Sequence, residues 1–316
     1  MEFFRKQTNI DFLGIRKWAA VFSLILIIAS VASLATRGIN WGLEFTGGYD
    51  IEVSYPTAPN VNDVRDQIEK LGIQHVDVIT FGSTRDLRIT LKPQQDMQKQ
   101  VVSAETQSEQ DALKAQVQKA LGSNATITSL SYTGSEVGAE MAQRGMLAML
   151  VAILATMIYI ALRFEMKFAI SAAIGLAHDP IIIMGIFSLF QLSFDLTALA
   201  AVLAVIGYSL NDTVVIYDRI RENFRKMRKA SVTEVVNRAV NDTLSRTVMT
   251  SGLTLLVVVV LYFFGGPSIH YFSLALIIGV IVGTYSSIYV AGAFAVMLGL
   301  DREALIPQIK PTDETP

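Results

Sequence analysis

The stretch LTALAAVLAVIGYSLNDTVVIYDRIREN, residues 196–223, decides what kind of molecule this is. Residues 196–217 are apolar enough for a bilayer crossing, which takes about 20 residues. Inside that run stands Asn211-Asp212, and at its exit come Asp218 and Arg219. Ionisable groups among membrane helices are expensive to keep, so each is a functional-site candidate by default.

Outward from this run, five further stretches are long and apolar enough to span: 18–36, 145–162, 168–190, 247–264 and 272–298. The composition agrees. Of 316 residues 52% are hydrophobic and 17% charged, where a soluble domain carries about 25% charged residues. A net charge of -2 lacks the basic excess of a nucleic-acid binder. The absence of cysteine excludes disulfides, thiol catalysis and Cys-based metal sites. Three histidines (His75, His178, His270) do not complete an all-His site, so no metal is expected. The rival reading of 18–36 is a cleavable signal peptide, since Ser33-Leu34-Ala35 loosely resembles a cleavage site. The run is longer than a usual signal core and 17 residues precede it, so a retained span is expected.

Lysine and arginine set the orientation. They crowd residues 1–17, the link after the second span (Arg163, Lys167) and the link 219–246, and are missing from 191–195 and 265–271. With six spans all three basic segments face the cytoplasm, as do both termini and the tail 301–316. Residues 37–142 then lie outside as one domain, and residues 143–300 form a five-helix region. The outer segment alternates or steps like β (50–55), α (61–71), β (76–81), β (87–91), α (105–121), β (125–132), an α+β ferredoxin-like order. Gly82-Ser83 reads as a turn and 93–104 as a Gln-rich polar linker. In the cytoplasmic link, Ser231 and Glu234 have capping-box spacing, and Val232, Val235, Val236, Ala239 and Val240 mark an amphipathic helix. That helix lies on the membrane before the fifth span or packs as a solvated connector.

Three sets of buried charge stand out: Asp179 between His178 and Pro180, Asp212 beside Asn211, and Arg246 where the fifth span begins. Counted from the outer face, Asp212 is roughly 24 Å deep and Arg246 roughly 27 Å, on consecutive antiparallel spans. A carboxylate and a guanidinium at matched depth can pair, and such a carboxyl can switch between neutral and charged forms as water access changes. Snorkelling to the headgroups is the plain alternative for Arg246, and a static polar contact for Asp212. Asp179 is expected to bond freed backbone or a neighbouring span at a Pro180 kink. Gly279 and Gly283 form a small-xxx-small helix contact.

At these residues the chain closely resembles a known family. Trp41-Gly42-Leu43-Glu44-Phe45-Thr46-Gly47-Gly48, Ala177-His178-Asp179, IGYSLNDTVVIYDRIREN (206–223), Thr243-Leu244-Ser245-Arg246-Thr247, Thr250-Ser251-Gly252 and Phe264-Gly265-Gly266-Pro267 follow in order. They resemble the SecF family, the smaller partners of SecD in bacterial protein export and members of the resistance–nodulation–division superfamily. Two positions depart from the family's pattern: Glu44, where Asp is usual, and Ser135, where Pro is frequent.

The resemblance implies an inner-membrane protein with a periplasmic outer domain, pairing with SecD into a twelve-span unit. It implies association with the SecYEG channel, with YajC and YidC beside it, and help to an emerging preprotein, driven by the proton gradient with no bound cofactor. It carries the family's membrane charges onto Asp212 and Arg246. Asp179, Asn211, Asp218 and Arg219 are supporting polar groups, and Gly47, Gly48, Gly134 and Gly138 are candidate junction hinges with tight turns as the plain alternative. Rival classes are an assembly scaffold without ion coupling, an intramembrane hydrolase built on Ser209 or His178, and a small-molecule efflux pump. No Gly-x-Ser-x-Gly pattern supports the second, and one outer domain of about 105 residues leaves little room for the third's porter.

Overall fold

The computed structural model describes residues 8–73, 76–81, 83–92 and 107–300. Residues 1–7, His75, Gly82 of the expected turn, the polar linker 93–104 and the tail 301–316 lie outside the described residues. Six helices are long and apolar enough to cross a membrane. They begin with α1 (Arg16–Arg37). A one-turn helix, α2 (Leu43–Thr46), leads from α1 into the outer domain. That domain holds β1 (Gly48–Ser54), α3 (Val61–Glu69), β2 (Val76–Phe81), β3 (Ser83–Leu91), α4 (Gln107–Leu121) and β4 (Thr126–Thr133). The chain returns through α5 (Ser135–Arg163), α6 (Met166–Leu189), α7 (Leu196–Lys226), α8 (Val232–Phe264) and α9 (His270–Tyr285). A π-type segment, Ser286–Ala291, then continues into α10 (Gly292–Met297).

Alternation builds the sheet. Ile51, Val53, Val78, Leu87 and Ile89 point to one face and are buried under Val64 and Ile68 of α3 and Leu113 and Val117 of α4. The strand order is β2-β3-β1-β4, with β1 antiparallel to both β3 and β4, and β2 antiparallel to β3. Asn60 caps α3 by accepting from the Asn62 N–H. This helix is shorter than its apolar spacing suggests. It ends at Glu69 before Gly72, whose φ of +84° makes the turn, and Leu71 is left exposed.

In the bundle α6, α7 and α9 are half or more buried, whereas α1, α5 and α8 leave most of their apolar surface open. Helix α1 rests on α6 through small residues. Ser30 sits where a Gly185 side chain would be, and the Ser33 and Ser188 hydroxyls bond at 2.9 Å. Gly279 and Gly283 of α9 meet Val205 and Ser209 of α7, so two positions four apart on one helix match two four apart on the other.

Three boundaries depart from the apolar runs. No separate amphipathic link precedes the fifth span: α8 is one helix of 33 residues. The buried face Val235, Val236, Ala239, Val240 continues in phase as Thr243, Leu244, Thr247 and Ser251, so nothing breaks the helix near Arg246. Helix α7 likewise runs past Tyr217 to Lys226, burying Ile220, Asn223 and Phe224. Helix α5 starts at Ser135, ten residues before its apolar run, and joins the outer domain to the bundle directly. The capping box at Ser231 and Glu234 is formed, with the Ser231 N–H donating to Glu234 Oε2 at 2.7 Å.

The first described residues are tied to α8 by two asparagines one turn apart. Asn241 accepts from the Ile10 N–H and donates to its carbonyl, both at 2.8 Å, and Asn237 accepts from the Phe12 N–H at 2.9 Å. Asn241→Ala removes both bonds to Ile10, worth about 1–3 kcal/mol together. The expected result is hydrogen exchange at Ile10 and Phe12 at least tenfold faster, with the midpoint of global unfolding little changed. Unaltered exchange at those amides would show that the segment is held by something else.

Candidate functional site

Where α6, α7 and α9 meet, polar side chains line up inside an apolar bundle. His178 and Asp179, 2% and 1% exposed, sit mid-way along α6 just before Pro180. His178 Nδ1 lies 2.9 Å from Asp179 Oδ1. The other carboxyl oxygen, Oδ2, accepts from the hydroxyls of Ser209 on α7 at 2.7 Å and Ser286 at 3.0 Å. One carboxylate therefore ties three elements together. The π-type segment explains how two consecutive serines serve the same seam: the extra residue per turn turns Ser286 toward Asp179 and Ser287 toward α7. Ser287 donates to the Ser209 carbonyl at 3.1 Å and bonds Thr213 Oγ1 at 3.0 Å. On the α8 side Tyr208 donates to Ser251 at 3.2 Å, and Ser251 bonds Thr284 at 2.7 Å.

Asp212 lies one turn beyond Ser209 on α7 and is 2% exposed. Its Oδ2 is buried without a hydrogen-bond partner among the described residues. Arg246 on α8 is near enough for its charge to act on Asp212, yet its side chain is exposed, and among the described residues it closes no ion pair within 4.0 Å. The pairing expected from matched depth is thus an electrostatic neighbourhood, not a contact. Asn211 points away from the seam and is exposed, in line with Ala200, Ala204 and Gly207 along one face of α7. Asp218 and Arg219 belong to the charged end of the helix: Asp218 pairs with Arg163 at 2.9 Å and Arg219 with Glu222 at 2.7 Å.

A hydrolase built on Ser209 does not fit this geometry. The carboxyl group stands between the hydroxyl and the imidazole, so His178 is not placed to take the serine's proton. The seam's hydroxyls were not legible as a site, because serine and threonine are ordinary contact residues in membrane helices.

Residues 113–301 match the family described as protein export membrane protein SecD/SecF, C-terminal, and residues 32–55 match the SecD/SecF GG motif. A protein translocase subunit SecF of Vibrio alginolyticus is 43% identical over 96% of this chain and 94% of its own length. One of Pseudomonas aeruginosa is 44% identical over 98% of this chain and 99% of its own. The chain belongs to the SecF family. The solved structure of SecDF, a translocon-associated membrane protein from Thermus thermophilus, matches with a TM-score of 0.80 and 31% identity over 93% of this chain. SecDF in a super-membrane-facing form matches with a TM-score of 0.70 and 32% identity over 95%. The chain spans about two fifths of each of these longer proteins, 39% and 40%.

The SecF glycine pair sits at the junction of bundle and outer domain. Gly47 and Gly48 have φ of +73° and +127°. A side chain on Gly48 would stand 2.2 Å from the Leu91 carbonyl of β3, and one on Gly138 2.8 Å from the Phe45 carbonyl. Gly134, at the start of α5, has open space. Gly47 and Gly48 thus hold positive-φ conformations, Gly48 and Gly138 stand close against backbone, and Gly134 does neither.

The surrounding backbone is pinned too. The Gly42 N–H donates to the Phe194 carbonyl at 2.9 Å, and the Phe194 N–H to that of Asn40 at 2.8 Å. Trp41 packs edge-on against Phe45 and Phe194 at 5.4 and 5.8 Å. Lys92 donates to the Trp41 carbonyl at 2.7 Å and to Asn40, and burial lowers its pKa. Glu44, the family departure, is half-buried here. Burial raises its pKa, a backbone hydrogen bond opposes this, and Asp195 and Asp50 add to the rise.

Proposed function

We propose that this chain is the SecF subunit of a bacterial Sec protein-export machinery and that, with SecD, it uses the proton-motive force to assist polypeptide translocation across the inner membrane. The observation that carries the coupling is Asp212: a carboxyl group 2% exposed among apolar helices, one oxygen unpartnered among the described residues, with the charge of Arg246 acting on it from α8. A group so placed stores a proton at little structural cost, and its loss or gain changes the attraction between α7 and α8. One charge moved through 100 mV supplies about 2.3 kcal/mol, enough to bias a domain equilibrium some tens-fold.

The longer SecDF structures support SecD as the partner that covers the open face of α7. Ala200, Ala204 and Gly207 there offer small residues for close helix approach, and Asn211 a side chain that can hydrogen-bond across it. SecYEG, YajC, YidC and the preprotein complete the proposed assembly. From the basic helix ends we read both termini as cytoplasmic, and we read the outer domain, ferredoxin-like by its strand order, as periplasmic. The chain acts as a transport subunit, with no bound cofactor and no enzymatic reaction of its own.

Asp212→Asn tests this in proteoliposomes holding SecD and the channel. The expected result is export that no longer responds to an imposed proton gradient, with SecD still co-purifying at normal yield. A normal gradient response would refute the coupling. Lost co-purification from Asp212→Asn and Arg246→Gln alike would instead make the chain an assembly scaffold.

A further inference from the structure

The mechanism built on Asp212 leaves the most buried ionisable pair of the bundle without a role. From its geometry we propose that His178 and Asp179 form a second proton-binding site, loaded and emptied separately from Asp212.

With a neutral imidazole and an ionised carboxylate the pair carries one net negative charge where the side chains are 2% and 1% exposed. An isolated buried charge is costly, and taking up one proton from bulk water makes the pair neutral. The charges near it do not supply that neutrality. Helix α1 carries its charged residues only at its ends, Arg16, Lys17 and Arg37. Helix α7 offers Ser209 and, a turn on, the acidic Asp212; α9 offers the Tyr285 ring, 6.4 Å from the imidazole. The π-type segment brings the neutral Ser286 and Ser287, α5 has charged groups only near its ends (Glu136, Glu140, Arg144, Arg163), and α10 has none. No cation on these elements faces the pair.

Two further features fit a site that changes state. His178 Nε2 is buried without a partner among the described residues, which hold the imidazole from one side only. The hydroxyl of Ser286 has two acceptors in reach, Asp179 Oδ2 at 3.0 Å and the Gly283 carbonyl at 3.1 Å. When Asp179 is ionised, Ser286 donates to it. When Asp179 is protonated, its new O–H donates to the Ser286 oxygen and the serine turns its own hydrogen to Gly283. Both states keep their hydrogen bonds with no backbone movement. Because Asp179 also holds Ser209 of α7, one turn from Asp212, a proton here weakens the α6–α7 tie just beside the first site.

The purpose of the site rests on the proton-coupled reading above; its existence does not. The test is infrared titration of the protonated-carboxyl band between about pH 3 and about pH 9, a window that brackets ordinary carboxyl and imidazole values. It uses the full chain co-purified with SecD in ester-free detergent, with aspartates isotope-labelled in this chain alone. Two titrating buried components are expected. Asp212→Asn removes one and Asp179→Asn the other. Ser209→Ala, which keeps the carboxyl group and inserts even if Asp179→Asn does not, shifts the second component alone. A titration wholly abolished by Asp212→Asn would overturn the proposal, as would a second component that follows sodium concentration at fixed pH. Two components together with gradient-independent export would keep the site and refute only the coupling.

Discussion

Gly48→Ala is expected to cost the outer domain about 3 kcal/mol or more, the largest effect of any single methyl group in it. Two causes add. A φ of +127° lies where only glycine is at ease, and holding another residue there costs on the order of 1–3 kcal/mol. The new methyl carbon would also stand 2.2 Å from the Leu91 carbonyl oxygen. That oxygen is backbone of a paired strand, in register with Tyr49, and cannot rotate aside as a side chain would. Relief requires β1 to pull away from β3. The measurement is hydrogen exchange of the amides of 49–53, expected roughly 100-fold faster, since each 1.4 kcal/mol is a factor of ten. Gly134→Ala is the control. It has open space and no positive φ, so exchange there should move less than threefold, about 0.6 kcal/mol. Equal effects from the two would mean that the junction yields freely and that Gly48 acts as a swivel, not a fixed turn.

Much of this architecture is legible in the residues before any coordinates. An apolar run of bilayer length admits one structure, because only a helix satisfies its own backbone bonds there. The strand β2 spans 76–81 as its alternation indicates, and Leu113, Val117 and Leu121 of α4 are buried as their spacing requires. What hydropathy misses is continuity. The helix at 232–264 looks like two segments because polar residues interrupt the apolar average, yet its buried face never changes phase. The site divides the same way. A carboxyl group in a membrane span announces itself, so Asp212 and Asp179 stand out. Which one is tied down and which is bare depends on serines from helices 30 and 107 residues away, and on the π-type segment that presents Ser286, for which no sequence pattern is known to us. The depth estimate for Arg246 placed it beside Asp212 but said nothing about which face of α8 it occupies, and it is exposed.

The seam between α7 and α9 carries the second large effect. Gly279→Ala should destabilise the bundle by about 2 kcal/mol, while Val205→Ala in the same chain should recover much of that loss. A methyl group at 279 would stand 2.1 Å from one Val205 methyl and 2.9 Å from the other, but 3.0 Å from the Val205 Cβ. Valine has two branches at Cβ and no rotamer moves both away, so the helices must part, at a typical overpacking cost of about 1–3 kcal/mol. Parting them lengthens the Ser209–Asp179–Ser286 bonds that cross the same seam one turn on, where Gly283 faces Ser209. Val205→Ala alone removes two buried methyl groups and costs about 1–2 kcal/mol. In the double variant the new methyl occupies the space the old ones left, and the two changes should cost less together than the sum of each alone. The measurement is a double-mutant cycle on reversible unfolding of the detergent-solubilised chain, read against the infrared signature of Asp179. A favourable coupling of at least about 1 kcal/mol, with the Asp179 band restored in the double variant, locates the contact. Simple additivity would mean that α7 and α9 do not touch at these two positions, and that the polar seam is held together elsewhere.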